Sequence, residues 1–349
     1  MTAKVIKFRS PVYIFSSAAV GTDKEKNGPL GEYFDITSPD AKFGCDTFEK
    51  GESEMLRVAV NAALKKASLH EKELELFLAG DLMNQCTAST FALLDYGIPF
   101  AGLYGACSTM AEALALGSIL IDSSHFSLIG TAVSSNFCTA ERQFRVPLEY
   151  GSRKPPTAQW TVTGAGAVIL SNKPRDLRGT DINKKEANSV AVVEALIGRM
   201  VDLGITDAAN MGAAMAPAAA DTILRYFRET GRTPDEFDII ATGDLGEEGV
   251  KLCRDLLAGE GLDLGSRHKD CGVLIYGEGN SNKNGERMSG GSGCACSAVV
   301  LAGYFARLFA NQKIKRLLFV GTGAMMSPQS VMQGLSIPGI AHAVTIEAM

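Results

Sequence analysis

Apolar positions along this chain change their spacing at one place without an intervening loop. From Pro99 a short apolar run reaches Tyr104, and beyond Gly105 the residues Met110, Ala113, Leu114, Leu120 and Ile121 recur at helical spacing. The pattern predicts a strand, a bend carrying Cys107 and a helix. Upstream, Val12 to Phe15 reads as a short strand. The polar segment that follows to residue 50, punctuated at Thr22, Gly28-Pro29 and Phe43-Gly44, predicts a surface excursion. A helix is expected over 53–67, with Met55, Leu56, Ala59, Val60, Ala63 and Leu64 on one face. Glu73 to Leu82 then predicts a buried strand ending in Gly80-Asp81, and a helix over 86–96 leads to the Cys107 bend.

The same order of elements returns later. Glu236 to Leu245 matches Glu73 to Leu82 without gaps, so Asp244 is the mate of Asp81, and a helix over 218–229 precedes it. Gly293-Cys294-Ala295-Cys296-Ser297, opening a helix to about Leu308, echoes Gly105-Ala106-Cys107-Ser108, and Leu318 to Gly323 repeats the strand Leu128 to Ala132. Three matched elements in one order indicate a duplicated α/β unit of about 150 residues. The last strand of each half is read at Gly164 to Leu170 and at Ala341 to Ile346, with Asn172 to Asn188 as a polar linker. An excursion in the first half covers Ser134 to Trp160. The second half carries an insertion, Gly261 to Arg287, whose apolar run Val273 to Tyr276 predicts a strand in a hairpin lid or rim.

Composition narrows the classes of function. A chain of 349 residues, 46% hydrophobic and 21% charged, can build a large core. A net charge of −5 and the lack of any Lys/Arg cluster argue against a nucleic-acid partner. No window reaches about 18 uninterrupted apolar residues, and Met1 to Arg9 lacks the apolar core of a secretory signal. A soluble protein is therefore expected, with any membrane role peripheral. The eight cysteines form no CxxC pair and the four histidines are scattered, so reduced thiols and no structural metal site are expected.

The candidate chemistry centres on Cys107. At a helix start the sulfur would face the positive end of the helix dipole, which favours a thiolate or holds an anion beside it. Cysteine is equally a small core residue. Asp81 and Asp244 stand at strand C-termini, where α/β folds place ligand sites. Each is either a ligand contact or a carboxylate capping the following helix.

Two similar α/β halves with a cysteine on a strand-to-helix bend resemble the thiolase and ketoacyl-synthase superfamily. That fold is a five-layered αβαβα sandwich built from two duplicated halves, which would be 1–188 and 189–349. Longer segments, Leu78 to Gln85, Tyr104 to Thr109, Thr139 to Arg145, Asp202 to Asp207, Gly212 to Thr222 and Gly290 to Val300, resemble the AD family of stage V sporulation proteins. These are thiolase-like components of the dipicolinic-acid transport machinery of bacterial spores.

The resemblance also bears on catalysis. Condensing enzymes of the superfamily add a histidine, and often an asparagine, from the second half to activate the thiol. Here the corresponding stretches read Ala241-Thr242-Gly243-Asp244 and Gly291-Ser292-Gly293-Cys294, so both partners are missing. His125, His268 and His342 fall at no motif position. Asp81 lies near the place where hydroxymethylglutaryl-CoA synthases carry a catalytic glutamate, which keeps a thiolase-like acyltransferase or condensing enzyme using Cys107 as the alternative.

What the resemblance implies is a non-catalytic protein, without cofactor, that binds dipicolinic acid free or with calcium. It would serve uptake into the forespore and release in germination with the other proteins of the spore dipicolinate channel. Its expected place is cytoplasmic or forespore, peripheral to the inner spore membrane, and its strand Phe100 to Tyr104 is where the superfamily forms homodimers. The implied ligand-binding set is Cys107, Asp81, Asn84, Arg142, Arg145, Thr242, Asp244 and Ser292. Arg142 and Arg145 would hold carboxylates as bidentate forks, or else form salt bridges with Glu141 or Glu149.

Overall fold

The computed structural model describes residues 4–144, 154–174, 189–279 and 288–349. The principal strands of the first half are β1 (Ile6–Thr22), β2 (Leu76–Gly80), β3 (Phe100–Gly102), β4 (Leu128–Ser135) and β5 (Gly164–Ser171). Those of the second are β6 (Val190–Leu196), β7 (Ile239–Thr242), β8 (His268–Asp270), β9 (Arg316–Ala324) and β10 (Gly339–Ala348). They follow one path, β8-β7-β9-β10-β6-β1-β5-β4-β2-β3, so both halves have the same internal order. Directions match as well. The strands β2, β3 and β4 are parallel like β7, β8 and β9, while β5 and β1, like β10 and β6, run antiparallel.

The halves meet where β1 pairs antiparallel with β6, across a register shift between Lys7 and Val12. Six helices matter for the site: α1 (Phe48–Ala67), α2 (Thr109–Asp122), α3 (Phe137–Phe144), α4 (Met211–Thr230), α5 (Gly246–Gly259) and α6 (Cys294–Val299). Helix α6 continues through a π-helical turn, Val300–Phe305, to Ala310. Helices α2 and α6 form the middle layer, with α2 touching strands of both halves. Helix α1 covers the outer face of the first half, and α4 covers that of the second.

Strand alternation divides the core accordingly. Leu76 and Leu78 point to the middle layer while Phe77 and Ala79 face α1. In the second half Ile239 and Ala241 point inward and Ile240 outward. This is the five-layered αβαβα arrangement, with α2 buried at its centre.

Several local expectations change. The first strand is far longer than Val12 to Phe15, because β1 pairs with β6 from Ile6 to Tyr13, with β5 from Tyr13 to Gly21 and with the short strand Ile36–Ser38 at Val20 to Thr22. Helix α1 starts at Phe48, where the Thr47 side chain accepts from the Lys50 N–H. Helix α4 starts at Met211, capped by Asn210, and accommodates Pro217. Val273 to Tyr276 is not a strand but part of a helix, Cys271–Tyr276, begun by the Asp270 carboxylate accepting from the Val273 N–H at 3.1 Å. A four-residue apolar run suits either state, and the cap decided it. Residues 280–287 of the expected lid lie outside the described residues, as does most of the linker.

Candidate functional site

Strand β3 ends at Gly102, and the chain then turns through Ala106–Ser108 into α2. Ala106 adopts φ +48°, a left-handed conformation uncommon outside glycine. Its carbonyl accepts from Thr109 Oγ1 at 2.6 Å and Cys294 Sγ at 3.0 Å, which ties the turn to α6 of the other half. This geometry presents Cys107, 5% exposed, to a cavity of about 380 Å³. Leu82, Ala140, Phe144, Met211, Met326 and Val331 give the cavity its apolar walls, and Glu141, Lys154 and Asp207 bring charge.

The thiol faces a carboxylate. Cys107 lies beside Asp244, close enough for each to perturb the other, and the Asp244 carboxylate accepts from Thr322 Oγ1 at 2.8 Å and from the Gly293 N–H at 3.1 Å. Burial pushes the Asp244 carboxyl up to about 7. The Cys107 thiol is driven well above its usual value, by burial first and by the Asp244 charge second. The expected helix-start thiolate is therefore not favoured here. Desolvation and an acidic neighbour outweigh the partial charge of the helix end.

A second acid stands behind the first. Asp270 accepts from Thr242 Oγ1 at 2.7 Å and from the N–H groups of Leu245, Gly246 and Val273 at 2.8, 3.0 and 3.1 Å. It thereby caps α5 and the Cys271–Tyr276 helix together. His268, lowered to about 4 by burial, is neutral. Its Nδ1 accepts from Arg254 Nε at 3.2 Å, so the network assigns its proton to Nε2, 3.1 Å from Thr242 Oγ1.

The other candidates are dispersed. Ser292 lines the cavity with Cys107. Asp81 is fully buried and serves the helix Thr87–Leu93: its carboxylate accepts from the Met83 N–H at 2.9 Å, the Ser89 N–H at 2.8 Å and Ser89 Oγ at 2.7 Å. Asn84 is exposed, and its N–H donates to Gln143 Oε1 at 3.0 Å. Thr242 is turned to Asp270 and His268. Arg142 pairs at 2.6 Å with Glu49, a partner from α1 instead of the expected Glu141 or Glu149, and stands outside the cavity walls. Arg145 and Glu149 lie outside the described residues.

Two lining residues escaped the sequence reading. Lys154 Nζ is 2.7 Å from Glu141 Oε1 and 4.5 Å from the centre of the Phe137 ring, which stacks on Trp160. Gln159 Nε2 donates to the carbonyls of Asp244 at 2.6 Å and Gly291 at 3.0 Å. Both reach the site because the short strand Trp160–Thr161 pairs with Gly291–Ser292 of the other half. No local spacing signals that contact.

With this geometry in view, comparison with known proteins assigns the family. A profile for stage V sporulation protein AD (SpoVAD) matches residues 2–347. The chain belongs to the stage V sporulation protein AD family. It is 41% identical over 340 residues to stage V sporulation protein AD of Bacillus subtilis (strain 168), covering 97% of this chain and 95% of that protein. Among solved structures, Xanthomonas campestris OleA aligns with a TM-score of 0.59 at 14% identity, over 98% of this chain and 100% of the other. 3-Oxoacyl-[acyl-carrier-protein] synthase III of Aquifex aeolicus VF5 gives 0.56 at 14%, over 96% and 99%. At such identities the likeness shows the thiolase-like fold alone. For this SpoVAD-family chain, among the described residues, no helix is long and apolar enough to cross a membrane, and no group of three or more His, Cys, Asp or Glu side chains is placed to hold a metal ion.

Proposed function

We propose that the chain is a non-catalytic SpoVAD-family protein that binds dipicolinic acid, free or with calcium, in the Cys107 cavity. In this reading it serves uptake of the acid into the forespore and its release in germination. It would act with the other proteins of the spore dipicolinate channel from a peripheral position at the inner spore membrane. Two copies would pair through the edge strand β3 and the residues just after it, where Phe100 and Tyr104 are both 39% exposed.

The observation that carries the non-catalytic reading is the placement of the buried Cys107 beside the Asp244 carboxylate. Removing the thiol proton to an ionised Asp244 leaves a thiolate in place of a carboxylate, at a position where burial disfavours charge on both groups. Covalent acyl transfer needs an activated thiolate or a base poised to make one. The cavity volume falls within the range of about 300–1,000 Å³ typical of small-ligand sites. Its apolar walls suit a flat pyridine ring, and Lys154 supplies a cation for one carboxylate. Calcium, in this reading, arrives as the counter-ion of the ligand.

The acyltransferase reading has one observation in its favour, a cysteine at a helix start opening on a cavity. Isothermal titration with dipicolinate beside a thiol-release assay on acyl-CoA separates the two. Binding without turnover is expected. Lys154→Met should weaken it at least tenfold, as removal of a desolvated charge does, and Cys107→Ala should weaken it less than about tenfold. Turnover with no heat of dipicolinate binding overturns the proposal.

A further inference from the structure

Asp244 lies directly behind the cavity wall. Gly293, whose N–H it accepts at 3.1 Å, and Cys107, beside which it lies, both line the cavity. The titratable groups around it are Cys107 from the turn before α2, Asp270 from β8, Cys271 from the helix after β8, and Cys294 and Cys296 from α6. Strand β9 contributes the uncharged Thr322. None of these groups is cationic, and Arg254 reaches His268, not Asp244.

The two acids are unequally served. Asp270 receives four donors, a hydroxyl and three backbone N–H groups. The Asp244 carboxylate receives one hydroxyl and one N–H. Negative charge is therefore better held on Asp270, and the first proton goes to Asp244.

We propose that the cavity takes up its anionic ligand together with one proton, which resides on the Asp244 carboxyl, so that Asp244 ties affinity to pH. This rests on the dicarboxylate reading of the cavity. The step balances simply. Ionised Asp244, one solvent proton and the dianion give a complex containing neutral Asp244, and no bond in the ligand breaks. The cause is electrostatic: a dianion against Cys107 would face the Asp244 charge across a single thiol, with little water between to screen it. A bound anion pushes the Asp244 carboxyl further up. Affinity is thus full below the ligand-free value and falls as pH rises through it, by up to about tenfold per pH unit for one linked proton.

The test is titration of the full chain with dipicolinate from about pH 6 to about pH 8.5, a range in which the ligand carboxyl groups stay ionised. Wild type is expected to weaken at least tenfold across the range. In buffers of different ionisation enthalpy it should take up close to one proton at the alkaline end. Asp244→Asn, which mimics the neutral acid, is expected to bind with little pH dependence and to exceed wild type at the alkaline end. The buffer measurement needs no variant, so it stands even where Asp244→Asn folds poorly. Constant affinity with no proton uptake overturns the linkage and leaves the dicarboxylate reading in place. Absence of dipicolinate binding at every pH overturns both.

Discussion

The two halves place a Gly-Asp pair at the same strand end and put the acid to different uses. In the first half Asp81 turns to its own chain and secures the helix Thr87–Leu93 through Met83 and Ser89. In the second half that task passes to Asp270 on the neighbouring strand, which caps α5 at Leu245 and Gly246. Asp244 is thereby left to face Cys107. The difference follows from one pair of positions. Thr242 sits opposite Asp270, whereas its mate Ala79 sits opposite Gly102, which has no side chain to offer. Duplication set where the carboxylates begin, and a single neighbouring residue decided what they do.

The strongest way to break this comparison is to remove each capping acid. Asp270→Ala leaves a buried hydroxyl and three N–H groups without their acceptor and is expected to cost about 3 to 5 kcal/mol in urea unfolding. Asp81→Ala should cost about 1 to 3 kcal/mol, because fewer donors are orphaned. A larger loss at Asp81 than at Asp270 would overturn the assignment of capping roles.

A smaller effect, read through pH, sharpens the contrast. Burial, aided by the Asp81 charge, pushes the Glu52 carboxyl up to about 8 in the folded state, against 4.5 for the ordinary group. Folded protein therefore retains a proton that the unfolded chain releases. Stability from this group is full below the unfolded value and declines as pH rises toward the folded one, by up to about 1.4 kcal/mol per pH unit. Glu52→Gln keeps the acceptor for Ser134 and removes the titration. Its melting temperature should fall less than that of wild type between about pH 6 and about pH 8; parallel curves would rule the mechanism out.

The smallest effect belongs to Arg142. Its pair with Glu49 is open to water, with side chains 61% and 33% exposed, and such pairs contribute about 1 kcal/mol or less. Arg142→Met is expected to leave dipicolinate affinity unchanged. A tenfold weakening would bring this arginine back into the binding surface.

Much of the frame was legible in the chain because it rests on local periodicity. Alternation at Leu76, Phe77, Leu78 and Ala79 separates two cores, and helical spacing beyond Cys107 marks α2. Where periodicity is short the reading failed. Val273 to Tyr276 is helical because a carboxylate caps it, and β1 extends to Thr22 because β5 and the short strand Ile36–Ser38 flank its end. Lys154 and Gln159 were silent in the sequence, since only the pairing of Trp160–Thr161 with Gly291–Ser292 carries them to the cavity.

The sequence alone determined the repeat, the strand-to-helix bend at Cys107 and the Gly-Asp at each strand end, because each is written in neighbouring residues and enforced by backbone geometry. Tertiary structure alone decided that Asp244 stands beside the thiol, that Asp270 takes over the cap and that Arg142 pairs with Glu49 outside the cavity walls. Hydrogen bonds and desolvation act through space. The residues that set the charge of this cavity are drawn from both halves and become neighbours only when the middle layer closes.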